Sequence, residues 1–415
     1  MRIRRGLWKD IMAAMEHRII IVGAGPVGLT AAFLLGERGI PFLLIASEPV
    51  LETDLRASTF HPPTLDFLDE YGLADSLIEQ GLRTPTWQIR MHGTGERAEF
   101  DLAAIAGDTR HPFRLQCEQS KLCRLLLDRL QREGKGEIRL GLRVDAVTQD
   151  DDGVTVTARP LGSSDDADPE VFTGRFVIGA DGARSAVRRS LDMKFEGKTY
   201  PETTILVTTH FPFHDHLEGL SNVNYVWKAG GTFSLLRLPN LWRCSLYPDE
   251  GETIEDALLP ESIARKLEVI APGASEQGFL EVRPYRIHMR LVDEYRVGRV
   301  ALAGDAAHIN SPSGGMGMNG GVHDAFELVA TLNEIWHGAP LELLDRYTRR
   351  RRPIAEREVL AQSDRNRARM QERDDARRRE MLAELQALAA DPARAREHLL
   401  RTSMIAGLRA AAEVA

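Results

Sequence analysis

The densest chemistry in the chain lies in Gly304–Asp324, GDAAHINSPSGGMGMNGGVHD, directly after the apolar run Val300–Ala303. A strand ending in an acid places Asp305 at the mouth of a sheet, where its carboxylate can accept hydrogen bonds from ligand hydroxyls. Glycines 314, 315, 317, 320 and 321 let the backbone approach a flat ligand and leave amide N–H groups exposed at the start of a helix. Residues 23–28, GAGPVG, follow the β-branched run IIIV and open a helix that Gly39 ends. In that setting G-x-G-x-x-G binds a nucleotide. Gly23 makes the tight turn, Gly25 admits a pyrophosphate, and Gly28 lets helix and strand pack closely. The chemistry these residues indicate is the holding of a flavin, with its reactive end on 304–324.

The elements that must position these residues can be read in outline. A strand at Phe42–Ile45 should end in an acid for the ribose hydroxyls, but the expected position is Ala46 and the first acid is Glu48. Either Glu48 reaches back, or backbone and water hold the ribose. Pro62–Glu70 starts a helix after a proline pair, and Thr86–Phe100 reads as a hairpin around Gly93-Thr94-Gly95. Phe113–Gln119 is extended and leads into a helix over Ser120–Arg132, with Ser120 as its cap. Glu137–Leu140, Arg143–Thr148 and Val154–Ala158 read as antiparallel strands, with Gly162–Glu170 as a long polar tip. A second strand-to-helix junction, ADGARSAVR at 180–188, follows the strand Phe172–Ile178. From Tyr200 to Val282 the period becomes two, as in an antiparallel sheet that serves as a substrate platform. After Ile335 the chain is helical and rich in Arg, Glu and Ala.

With 415 residues the chain suggests two domains and a helical appendage, and 43% apolar residues suffice for large cores. A net charge of −8 with both signs mixed argues against nucleic acid as the main partner. Three cysteines, Cys117, Cys123 and Cys244, lack both a disulfide framework and metal-type spacing, which suits a reducing compartment. No run is long enough for a membrane span, and Met1–Glu16 is too broken by charge for a signal peptide. The expectation is a cytoplasmic protein with a short N-terminal arm, or one whose true start is Met15.

The three junctions, at 23–28, 180–188 and 304–308, occur in an order that resembles the class A flavoprotein monooxygenases, the para-hydroxybenzoate hydroxylase-like aromatic hydroxylases. The resemblance covers roughly residues 17–355. It implies an α/β fold: a glutathione-reductase-type, Rossmann-like FAD domain (17–83, 111–195 and 283–340) with an inserted, mainly antiparallel substrate domain (84–110 and 196–282). An arm (1–16) and a C-terminal helical segment (341–415) flank these parts. The first loop, Gly23, Gly25, Pro26, Val27 and Gly28, would hold the FAD pyrophosphate. Arg56 and Gln119 match the family's FAD-contacting arginine and glutamine, Val144 its adenine-facing valine, and Asp181 its D-G signature for FAD and reduced nicotinamide. Gly304 and Asp305 would meet the ribityl chain or diphosphate. Pro312, Gly315, Gly317, Met318 and Asn319 would border the isoalloxazine. Tyr347–Ala355 resembles the family's Y-x-x-x-R-R-P helix, making Arg349–Arg352 structural.

By the same resemblance, NADH or NADPH reduces FAD and O2 forms a C4a-hydroperoxide that hydroxylates a small phenol-like or heteroaromatic substrate. No metal is expected. The trio His210, His214 and His216 lacks further ligands, and His308 and His323 read as structural. Tyr225 and Tyr247 lie in the substrate sheet, but no residue is singled out as the substrate-activating base. Epoxidation, ring-opening oxygenation or reduction on the same fold stays open, whereas the W-x-W-x-I-P element of flavin halogenases is absent. A non-catalytic flavin-binding interaction protein is the other class, with the C-terminal helices as its partner surface. Those helices could equally serve as the arm of a homodimer.

Overall fold

IIIV at Ile19–Val22 is buried at every position, as a strand covered on both faces must be. It sits inside a six-stranded sheet ordered Arg296–Val297, Val300–Leu302, Phe176–Gly179, Ile19–Val22, Phe42–Ala46, Glu137–Leu140. All pairings are parallel except that of the first two strands. The structure is a computed structural model that describes residues 17–51, 57–164 and 166–415. The expected N-terminal arm and Arg56 lie outside the described residues.

Glu137–Leu140 does not join the antiparallel strands that follow it. It pairs parallel with Phe42–Ala46, because helix Gln119–Glu133 intervenes as a crossover and returns the chain in the same direction. Gly141, at φ 78°, then turns the chain into a separate antiparallel sheet of Leu142–Gln149, Val154–Pro160 and Glu170–Gly174. The crossover helix begins at Gln119, with Glu118 at the cap position and no side-chain cap. Ser120 is therefore inside the helix rather than capping it. The Gln119 N–H is satisfied instead by the Ala57 carbonyl at 2.9 Å.

The second large sheet has eight strands: His308–Ile309, Val282–Leu291, Glu196–Thr209, Trp242–Leu246, Gly231–Arg237, Val223–Lys228, Thr86–Met91 and Arg97–Asp101. Every pairing is antiparallel except Val223–Lys228 with Thr86–Met91. Val282–Leu291 stays paired with Glu196–Thr209 down to Leu291, so the chain leaves this sheet later than residue 283. Helix Pro260–Ile270 covers one part of the sheet with Ile263, Leu267 and Ile270. The C-terminal helices cover another, where Met370, Leu382, Leu385 and Leu399 pack with Trp87, Phe100 and Trp227.

Asp324 holds the 304–324 stretch in place from behind. It is fully buried; one oxygen accepts from Arg351 Nε at 2.7 Å, while the other meets His308 Nε2 at 2.7 Å and the Gly304 N–H at 3.1 Å. Arg350 pairs with Glu327, and Arg352 donates to the Val292 carbonyl. The arginine run at 349–352 is thus tied into the fold.

Candidate functional site

A cavity of about 1060 Å³ is lined from both large sheets. It exceeds the usual small-ligand pocket, leaving room for a dinucleotide cofactor and a ring beside it. Two helix N-termini face it. Helix Pro26–Glu37 starts where Gly23, Gly25, Pro26 and Val27 line the wall. Helix Met316–Trp336 starts where Gly315, Gly317 and Met318 do. Each presents unpaired amide N–H groups and the positive end of its dipole. Gly315 caps the second helix at φ 68°, a left-handed conformation that suits glycine.

Gln119, Val144, Asp181, Asp305 and Pro312 also line the cavity, so the expected residues converge on one space. Ala46, Ser47 and Glu48 are there too, with Ser47 Oγ donating to Glu48 at 2.7 Å. The sheet end that lacks its usual acid therefore still presents a carboxylate to the cavity. Asp181 uses its carboxylate locally: it accepts from Ser185 Oγ at 2.6 Å and from the Ala186 and Val187 amides. Burial pushes this carboxyl up, and those hydrogen bonds oppose the shift.

Three expected residues stand behind the wall rather than on it. A Cβ on Gly28 would overlap the Gly23 carbonyl, and one on Gly304 (φ 61°) would meet Val27 Cγ2 at 2.8 Å. The side chain of Asn319 is a clamp and not a ligand contact. Its amide donates to the carbonyls of Thr59 (2.8 Å) and Gly315 (2.7 Å) and accepts from the His61 N–H (2.9 Å) and Thr64 Oγ1 (2.7 Å). With all four bonds made inside the protein, nothing of that side chain is left for a cofactor.

The opposite wall is the eight-stranded sheet. Tyr225, Ser234 and Ser245 are cross-strand neighbours in one row, and Leu236 and Arg243 pair in the next. Arg243 donates to Ser58 Oγ at 2.6 Å. Tyr247 and Tyr285 also line this wall. Burial raises both of their phenols, so they stand as neutral O–H groups at neutral pH. Met370, from the C-terminal segment, completes the lining. The same segment grips the 310–314 loop: Asn310 Nδ2 donates to Ser363 Oγ at 3.0 Å, and Asn366 Nδ2 to the Ser313 carbonyl at 3.5 Å.

The histidines go elsewhere. His210 is exposed and bonds the Asn240 carbonyl, while His214 and His216 lie tilted against the rings of Trp242 and Phe211. His308 is bound to Asp324 and His323 to Thr64, both buried. Sequence reasoning missed Arg243 and Tyr285. The signal available for Arg243 was the period-two alternation Arg243, Ser245, Tyr247, which puts three polar side chains on one face of a strand.

A glycine-turn helix start, a second helix start with close-approach glycines, and a polar sheet across a shared cavity define an oxidoreductase site built for a dinucleotide cofactor. The family described as FAD binding domain matches residues 16–362. The chain is 33% identical over 399 residues to the para-nitrophenol 4-monooxygenase of Pseudomonas sp. (strain WBC-3), covering 94% of this chain and 96% of that protein. It is 32% identical over 341 residues to the 6-hydroxy-3-succinoylpyridine 3-monooxygenase of Pseudomonas putida (strain DSM 28022 / S16), with 82% and 85% covered. The crystal structure of p-nitrophenol 4-monooxygenase from Pseudomonas putida DLL-E4 superposes with a TM-score of 0.86 at 31% identity, covering 94% of this chain and 98% of that one. The chain belongs to this FAD-binding family, as a class A flavoprotein monooxygenase of the aromatic-hydroxylase type.

Proposed function

We propose that the chain is an NAD(P)H-dependent hydroxylase of a single-ring phenol or hydroxypyridine, with O2 as co-substrate. The observation that carries this reading is the cavity itself, where the Tyr225, Arg243, Tyr247 and Tyr285 wall faces the Pro312–Met318 helix start. The names of the relatives, para-nitrophenol and 6-hydroxy-3-succinoylpyridine monooxygenases, support the same substrate class. Cys117, Cys123 and Cys244 are buried and form no disulfide among the described residues, which supports a cytoplasmic location.

The residues present fit FAD. Gly25, beside the Pro26–Glu37 helix start, would face the pyrophosphate, since a Cβ there meets nothing within 4 Å. Asp305 would accept from the ribityl hydroxyls or approach the diphosphate. Val144 and Glu48 would stand at the adenosine, Gln119 on the flank, and Pro312, Gly315 and Gly317 along the ring. Bound FAD supplies electron transfer from nicotinamide and activation of oxygen. The chain's own work is different. Amides at the Met316–Trp336 helix start stabilise negative charge at the ring edge. Leu236, Met370 and Pro312 keep water from the reacting atoms, and the Tyr247 and Tyr285 hydroxyls hold the substrate.

Purified protein is expected to be yellow, and a screen of phenols and hydroxypyridines should find compounds that stimulate NAD(P)H oxidation. Mass analysis under labelled O2 should then show one labelled oxygen in the product, which separates hydroxylation from reduction. A colourless protein unable to bind added FAD, or NAD(P)H oxidation indifferent to every aromatic compound, would sink the proposal. Asp305→Ala should weaken FAD binding about 10- to 100-fold, the range for a lost hydrogen bond to a charged group. Fluorescence titration of apoprotein with FAD measures this, and wild-type affinity would contradict the role.

A further inference from the structure

Asn310 lines the cavity from the loop between strand His308–Ile309 and helix Met316–Trp336, and its amide can point only one way. Its Nδ2 lies 2.7 Å from the Ser311 carbonyl, which can only accept, so nitrogen and not oxygen must face it. The second amide hydrogen goes to Ser363 Oγ at 3.0 Å, on helix Ala361–Gln371, where Ser363 is fully buried. Both donors are thereby spent inside the protein. The Oδ1 atom is left with no hydrogen bond among the described residues. It stands over Gly317, where an added Cβ would come within 2.8 Å of it. Gly317 is the second residue of its helix and lines the same cavity.

The grip from the C-terminal segment is itself braced. Gln362 Nε2 donates to Asn366 Oδ1 at 2.9 Å, which leaves Asn366 Nδ2 facing Gly314, where a Cβ would meet it at 2.9 Å. The same helix is anchored to the eight-stranded sheet. Asp364 accepts from Tyr200 Oη and Lys198 Nζ, and the Arg369 carbonyl accepts from Trp227 Nε1 at 3.0 Å. Ser363 is thus held from two sides, and the Asn310 amide with it. An acceptor oxygen beside the free amide N–H groups of a helix start complements a group that carries N–H and C=O side by side. Such a group is a cyclic amide. Flavin has one in its pyrimidine ring, and 2-hydroxypyridine becomes one in its pyridone form, whereas a simple phenol has none.

We propose that Asn310 is a ligand-binding residue whose Oδ1 accepts a hydrogen bond from the N–H of a cyclic amide on the bound ring system, and that Ser363 is the positioning residue that aims it. The proposal rests on the flavin reading of the cavity and deepens it by naming an N–H contact. With Gly315 and Gly317 along the ring, flavin is the first source of that N–H, and a pyridone substrate is the other.

The test titrates apoprotein with FAD and with FAD methylated at the ring N3, which has lost that N–H. It also titrates FAD-loaded enzyme with 2-hydroxypyridine and with 4-nitrophenol. Wild type should bind FAD at least about tenfold tighter than the methylated form. Asn310→Val, similar in size but without the acceptor, should weaken FAD about tenfold and the methylated form little, which separates the lost bond from the bulk of the methyl group. Ser363→Ala should erode the preference about threefold and Ser363→Thr restore it, which a loss of packing alone would not do. Unchanged FAD binding in Asn310→Val, with 2-hydroxypyridine weakened about tenfold relative to 4-nitrophenol, would support the proposal with the substrate as the source of the N–H. Asn310→Val with both preferences as in wild type would overturn it and leave aromatic hydroxylation standing. The same null result in Ser363→Ala overturns it if Asn310→Val does not fold. Wild type that binds no FAD would overturn it together with the flavin reading.

Discussion

Asp324→Ala should cost about 3–5 kcal/mol of stability, a large share of the roughly 5–15 kcal/mol that a folded domain has. The reason is what the substitution leaves behind. Arg351 is 2% exposed and keeps only the Gly320 carbonyl, at 3.2 Å, so its charge would be buried without an anion. His308 and the Gly304 N–H lose their acceptor in the same step. The pH dependence follows from the same contacts. Burial alone would push the Asp324 carboxyl up, but the Arg351 charge and the His308 contact outweigh it and hold the group below its usual range. A depressed carboxylate contributes stability that is full above its unfolded value and lost as pH falls through its folded one. The gap between wild type and variant should therefore be constant at neutral pH and shrink only below about pH 4. Urea unfolding followed by tryptophan fluorescence measures it. Asp324→Leu combined with Arg351→Met should be milder than Asp324→Ala, since no charge is then stranded. A single variant losing under about 1 kcal/mol would contradict the account.

The sequence made the cofactor half of the site readable because that half is built from backbone. Gly23, Gly28 and Gly315 are constrained by turn geometry and close approach, and such constraints leave glycines at fixed spacing. Asp305 does not end the strand as expected: the strand stops at Leu302, and Asp305 reaches the cavity from the turn Gly304–Ala306. Asn319 lies at the expected helix start, but its side chain is used inside the protein. A helix start near a ligand also needs something to tie it to the neighbouring strand, and Asn319 bonds Thr59 and His61. The other half of the cavity is made of side chains brought from three strands and a C-terminal helix. Tyr225, Arg243, Tyr285 and Met370 share no spacing, and only the register of the sheet brings the first two near one another. Glu137–Leu140 looked antiparallel because it is short and next to true antiparallel strands. The helix before it decided otherwise. The high Arg and Glu content of the C-terminal segment suggested a partner surface or a dimer arm, yet its Met370, Leu382 and Leu399 are buried against the eight-stranded sheet.

Gly25 and Gly28 of the first loop should separate folding from cofactor binding. Gly28 is closed on all sides: an added Cβ would overlap the Gly23 carbonyl and touch Ala180 Cβ at 3.4 Å. Gly28→Ala must push apart the turn, the helix and the second junction, and overpacking of that kind costs about 3 kcal/mol. Gly25 is the opposite case. Its backbone, at φ −74° and ψ 179°, suits any residue, and a Cβ there meets nothing within 4 Å. Gly25→Ala should leave apoprotein as stable as wild type, or up to about 1 kcal/mol more stable because the unfolded chain loses freedom. What the new methyl group does meet is the space at the Pro26–Glu37 helix start, where a pyrophosphate has to come against the amides. FAD affinity should fall by at least about tenfold, or 1.4 kcal/mol. Thermal unfolding of both apoproteins, beside FAD titrations, gives the two numbers independently. Gly28→Ala should lose both stability and FAD, and Gly25→Ala FAD alone. A Gly25→Ala protein that binds FAD like wild type would show that the pyrophosphate lies elsewhere in the cavity, and the assignment of the first loop would fall with it.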